Sequence, residues 1–218
     1  MPSAKPHNES AICDVLSASR SATYVTAASG DKTKAMALYG WNARVSAALM
    51  LPSHFAEIAV RNAVADAIAA NHGPNWPWDA GFERTLPSPA SGFSPRKELV
   101  NVRCRQPTAG KVIAELKFIF WQKMFTARHN VHLWDPHILG LFPNASGMNP
   151  RQLRQRIYDD LEVIRQLRNR IAHHEPIFTR NLQDDLLRIL ELIELRSTPT
   201  IDWVLDMEEV SSILAERP

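Results

Sequence analysis

The chain has 218 residues, 45% of them hydrophobic and 22% charged, with a formal net charge of +2. These values exclude a disordered polyelectrolyte and a nucleic-acid binder that works by bulk charge. They fit an ordinary globular chain with length for one sizeable core, and one domain is expected.

Residues 1–30 read as a loosely ordered N-terminal segment with one short helix at 12–19, and residues 31–218 as the helical domain. Asp31 is placed to cap a long periodic run through Met36, Leu38, Trp41, Val45 and Leu49. Pro52-Ser53 is expected to break that run and start another, with Phe55, Ile58, Ala63 and Ile68 on its apolar side and Gly73 as the stop signal. Residues 73–93 hold Pro74, Pro77, Pro87 and Pro89 and read as a long irregular connection packed by Trp76 and Trp78. Ser94-Pro95 restarts a helix, and Thr108 starts the next, expected to run through Val112, Leu116 and Phe120 to Met124. A second irregular stretch, 128–148, carries His129, His132 and His137 as surface residues in no metal spacing.

Asn149-Pro150 opens the best-marked helix, with a preferred N-cap followed by proline at the first helical position. Leu153, Ile157, Leu161, Ile164, Leu167 and Ile171 form its apolar stripe, and Pro176 should end it near His174 or Glu175. Asn181, with Asp184 three residues on, caps a helix through Leu186, Leu190 and Ile193. Residues 198–203 read as a turn and 207–215 as a last short helix. No strand alternation, repeat or glycine-rich phosphate loop is visible, so the expected fold is an all-α, single-domain helical bundle with two long irregular connections. Cys13 and Cys104 stand far apart in no redox or metal spacing, as expected of reduced thiols in a cytoplasmic protein. Residues 1–10 lack the apolar core of a signal peptide, and no apolar run approaches transmembrane length, so no membrane association is expected.

The chemistry concentrates at the end of the 149–174 helix, in Arg168, Asn169 and His173. Arginine stays charged and grips phosphate oxygens bidentately, histidine titrates near neutral pH and moves protons, and an amide orients either. That is a kit for phosphodiester chemistry without metal or cofactor. At 100° per residue, Asn169 and His173 share a side of the helix, whereas Arg168 lies roughly 140° from His173. Arg168 and His173 therefore meet only if the arginine curls round or the groups come from two chains. The competing reading is structural, since Arg and His at a helix C-terminus also cap carbonyls and complement the dipole. His174 and Glu175 extend the run, but adjacent helical residues point apart, and no His-x3-His or Cys pair supports a metal site.

From residue 151 to 180 the chain has seven arginines (151, 154, 156, 165, 168, 170, 180) against four acids (159, 160, 162, 175). A basic surface around the motif, with Arg165 and Arg170 flanking it, would attract an anionic partner; a solvated face of i,i+4 pairs is the alternative. A second polar set, Glu57, Arg61 and Asn62, sits inside a run of Ala, Val and Ile. It is either an internal Glu57–Arg61 pair or a group facing the motif helix in support of Asn169 and His173.

Several stretches, in order, resemble a known family. They are Leu38-Tyr39-Gly40-Trp41-Asn42 with Leu49, Glu57-x3-Arg61-Asn62, and Gly110-Lys111-Val112-Ile113-Ala114-Glu115-Leu116 leading to Phe120-Trp121. Leu133-Trp134 with Phe142-Pro143, and Leu167-Arg168-Asn169-Arg170-Ile171-Ala172-His173-His174-Glu175, complete the set. Together they look like the bacterial Abi-like (abortive infection) proteins of the HEPN superfamily, over about residues 39–203. The resemblance implies a HEPN-type helical domain that cleaves or binds RNA in antiviral defence or as a toxin, as a homodimer with facing Arg-x4-His motifs. An antitoxin or a phage-derived trigger would be further partners. It assigns catalysis to Arg168, Asn169 and His173, with Glu57, Arg61, Asn62, Arg165, Arg170 and His174 in support. A non-catalytic RNA- or nucleotide-binding module and a helical protein-interaction domain stand as alternatives.

Overall fold

One helix organises the molecule: α3, Lys32–His72, runs 41 residues without interruption, about 60 Å at 1.5 Å per residue. Asp31 caps it by accepting the Lys34 N–H at 3.0 Å. The expected break at Pro52 does not occur, and the reason is phase. The buried positions Ala35, Leu38, Asn42, Val45, Leu49, Pro52, Ala56, Val60, Ala63 and Ala67 continue at three- and four-residue steps through the proline. A break would turn half of that stripe away from the core, so packing outweighs the one helical hydrogen bond that proline removes.

The computed structural model describes residues 9–218, so residues 1–8 of the expected N-terminal segment, and the side chain of Cys13 with its expected free thiol, lie outside the described residues. Every regular element among the described residues is helical, giving an all-α, single-domain bundle. Ahead of α3 the chain forms two helices rather than one, α1 (Glu9–Leu16) and α2 (Ala18–Ala27), and α2 packs Tyr24 into the core. The two irregular connections are more ordered than expected. The first holds a 3₁₀ turn at Trp76–Trp78 and α4 (Ala80–Thr85); Trp76 is buried but Trp78 is exposed. After α5 (Pro95–Arg103), the single helix expected from Thr108 divides into α6 (Ala109–Glu115) and α7 (Phe118–Met124), so that the Trp121 indole donates to the Leu116 carbonyl at the joint. The second connection winds through a 3₁₀ turn (Ala127–His129), a π-turn (Asn130–Trp134) and α8 (Asp135–Leu141). Its anchor is Trp134, stacked on Phe125 at 4.3 Å and donating to the Met124 carbonyl at 2.7 Å.

Helix α9, Pro150–Ala172, starts as expected, and Asn149 and Gln152 complete a capping box. Helix α10 (Leu182–Arg196) packs on both α3 and α9. It is tied to α9 by Arg188 on Asp160 (2.6 Å) and Arg156 on Glu191, and to α3 by Arg196 on Asp66 (2.8 Å). Residues expected to turn instead form α11 (Thr198–Leu205), capped by Ser197, before α12 (Val210–Ala215). No helix of the described residues is long and apolar enough to cross a membrane.

His129 departs from the surface reading: it is 4% exposed, and its Nε2 has no hydrogen-bond partner. Burial, with the nearby Arg128 charge, lowers its pKa to about 4. An unfolded histidine titrates near 6.5, so between these values the unfolded chain binds a proton that the folded chain refuses. The contribution is complete above about pH 6.5 and is lost as pH falls towards 4, about 3 kcal/mol at most. Urea melts should show stability falling across that window, and His129→Gln should flatten this part of the profile. A profile unchanged by the substitution would assign the acid sensitivity elsewhere.

Candidate functional site at the end of helix α9

The two polar sets singled out in the sequence meet. Arg168 Nη1 lies 2.6 Å from Glu57 Oε2, across α9 and α3, with both side chains largely buried. Glu57 therefore pairs between helices and not with Arg61, one turn along α3. The guanidinium of Arg168 also lies over the Phe118 ring, 4.9 Å from its centroid. A carboxylate at one nitrogen and an aromatic face below hold the group in one plane. Arg168 and Asn169 share a groove with Met50, Phe118, Arg165 and Ala172. Phe118 and Met50 had no polar signal to mark them in the sequence; only the fold brings them there.

The other residues divide. Asn169 and His173 are exposed, and His173, which closes α9, is not among the residues lining that groove. Asn62 is exposed, and Arg61 is half-buried with Nε unpaired. Arg165 is held by Glu162 at 2.6 Å; this hydrogen bond is the main cause that lowers the Glu162 pKa to about 2, and Gln122 and Gln166 add to it. Arg170 donates to the Pro176 carbonyl at 2.7 Å and lies 3.6 Å from Glu175.

The helix ends earlier than Pro176 requires, for a local reason. The Glu175 N–H bonds to the Arg170 carbonyl (2.8 Å) and the His174 N–H to that of Ile171 (3.0 Å). This is the Schellman arrangement, with His174 in the left-handed position that glycine usually fills, at φ 55°. A non-glycine residue there costs about 1–2 kcal/mol. His174 is fixed from outside: its carbonyl accepts from Arg20 of α2 at 3.1 Å. Two residues on, the buried Asn42 side-chain oxygen accepts the N–H groups of Ile177 (2.8 Å) and Phe178 (3.1 Å).

The arginines expected to make up a basic surface are all engaged within the protein. Arg151, Arg156, Arg165, Arg168, Arg170 and Arg180 each lie within ion-pair distance of a carboxylate. The seventh, Arg154, is buried and donates to the Phe125 carbonyl at 2.6 Å. Charge that looks unbalanced over residues 151–180 is balanced by acids from α3, α8 and α10. Among the described residues, no group of three or more His, Cys, Asp or Glu is arranged to hold a metal ion.

Comparison of the chain with protein-family models, with curated proteins and with solved structures finds no match.

The Glu57–Arg168 pair is buried enough to be felt in stability. A double-mutant cycle with Glu57→Ala and Arg168→Ala should give a coupling of about 1–3 kcal/mol, between the exposed and fully buried ranges. A coupling within a few tenths of zero would make the contact incidental.

Proposed function

We propose that this chain is a metal-independent endoribonuclease of the HEPN, Abi-like type, acting in antiviral defence or as a toxin in the cytoplasm. The observation that carries the reading is the Glu57–Arg168 contact. It orients the motif arginine in a groove that Asn169 also lines, and His173 stands exposed where α9 ends. The ordered resemblance to the Abi-like proteins supports it.

In this reaction the ribose 2′-oxygen attacks the neighbouring phosphorus, and the bond to the 5′-oxygen breaks. His173 takes the 2′-OH proton, and in a symmetric homodimer the partner's His173 supplies the proton to the leaving oxygen. Arg168 keeps one nitrogen on Glu57 and offers its remaining N–H groups to the phosphoryl oxygens as charge develops. A second copy answers the angular separation of Arg168 from His173 on one helix. The commitment of the seven arginines favours a second reading, a non-catalytic binding or protein-interaction domain, because little free positive charge is left to collect RNA.

His173→Ala should lower cleavage of a mixed RNA pool by about 10²- to 10⁴-fold, the scale of a lost general acid or base. Arg168→Lys should rescue poorly, since a point charge cannot reproduce the planar fork, and His174→Ala should matter less. Fragments should end in 2′,3′-cyclic phosphate, chelators should not inhibit, and DNA, which has no 2′-OH, should resist. Light scattering should report a dimer at micromolar concentration. Absence of RNA cleavage, or cleavage only with added metal, sinks the enzyme reading and leaves the binding module in its place.

A further inference from the structure

A cavity of about 170 Å³ lies at the C-terminal end of α3, between that end, α4 and the turns at 127–134. It is remote from the end of α9: His72, on its wall, stands about 22 Å beyond Glu57 along α3. Most of its polar groups are already used. The Asn71 side chain donates to the His132 carbonyl at 2.6 Å, His72 Nδ1 lies 2.9 Å from Asp79, and the Thr85 hydroxyl donates to the Phe82 carbonyl at 2.7 Å. Two basic groups on the wall are not. His129 is 4% exposed, and its Nε2 has no hydrogen-bond partner. Arg128 is exposed, and no carboxylate among the described residues lies within ion-pair distance of it. A buried nitrogen without a partner costs stability, and a guanidinium next to it makes protonation no remedy. An anion between the two answers both, because it accepts from the guanidinium and favours a charged imidazole.

Phe82 and Leu133, both buried, give the cavity an apolar wall. The space equals roughly five or six waters and falls short of the roughly 300 Å³ at which sites for larger ligands begin. We propose that this cavity binds a small organic acid as its carboxylate, held between Arg128 and His129 with a short hydrocarbon part against Phe82 and Leu133. A guanidinium matches a carboxylate bidentately, and the apolar wall favours an acid with a hydrocarbon tail over inorganic phosphate. Burial, the largest cause, and the Arg128 charge hold the His129 pKa at about 4, so the ring of the empty site is neutral at pH 7. A carboxylate beside it raises that pKa, and binding therefore takes up a proton. The other titratable groups on the wall are His132 and His72, and Asp79 pairs with His72. The inference does not depend on the RNA reading of α9.

Calorimetric titration of the full chain with butyrate, its neutral amide butyramide and inorganic phosphate tests this. Butyrate should saturate one site, and butyramide and phosphate should bind more weakly. Butyrate binding should tighten roughly 3- to 10-fold between about pH 7 and pH 5.5, above the range in which a carboxylate itself titrates. Proton uptake should show as a binding heat that changes with the ionisation enthalpy of the buffer. His129→Gln should remove the pH dependence, and His132→Ala should keep it. Arg128→Ala, an exposed change that leaves the core alone, should weaken butyrate roughly 10-fold, the worth of a charged hydrogen bond. The inference is overturned if butyrate does not saturate, if butyramide or phosphate binds as tightly, or if Arg128→Ala binds as wild type. A butyrate affinity that is flat across this pH range, or a pH dependence that survives in His129→Gln, overturns it as well.

Discussion

The phase of the apolar stripe along α3 is the constraint on which the rest of the molecule depends. Because the helix is continuous through Pro52, Asn42 and Glu57 stand about 22 Å apart along one unbroken helix. Both hold the end of α9: Glu57 through Arg168, and Asn42 through the backbone that follows the helix. The later residue of α3 holds the earlier part of the motif, so the two segments run antiparallel and are clamped at two points. Two separate helices meeting at a loop would leave that spacing to the loop. The clamp explains how a short exposed terminus holds its shape with His173 and His174 open to solvent.

Charge in this chain does structural work first. Residues 151–180 look basic because the balancing acids Glu57, Asp135, Asp185 and Glu191 lie outside that stretch or come from other helices. A local count of arginines therefore overstates the surface potential. What remains for a ligand is directional: guanidiniums held in fixed planes, with N–H groups still to offer. Such a site selects by geometry, in keeping with a small net charge and unlike a binder that gathers nucleic acid by field alone.

Much of the fold was legible because it rests on local rules. Asp31, Ser94, Thr108, Asn149 and Asn181 all cap the helices that their positions suggested. The failures share a cause, which is that tertiary packing overrode a local signal. Proline marked a break at 52 that burial on both sides forbids. Trp78 is aromatic yet exposed, and His129 is polar yet buried. The split after α6 answers to the Trp121 indole needing the Leu116 carbonyl, a pairing that periodicity does not encode. At the site, a meeting of the Glu57 set with the motif helix was one of two readings that the spacing allowed, but the expected partners were Asn169 and His173, and the partner is Arg168. Phe118 and Arg20 carried no pattern that linked them to the motif, and only the fold brings them to the C-terminal end of α9.

A folded chain whose local choices agree is expected to break its own rules at sites of use. Here two of the breaks fall at the end of α9. His174 takes a backbone conformation that costs stability, and Arg168 keeps a buried Nε without a hydrogen-bond partner. Glu57 and the Phe118 ring hold the Arg168 guanidinium in place without satisfying all of its N–H groups.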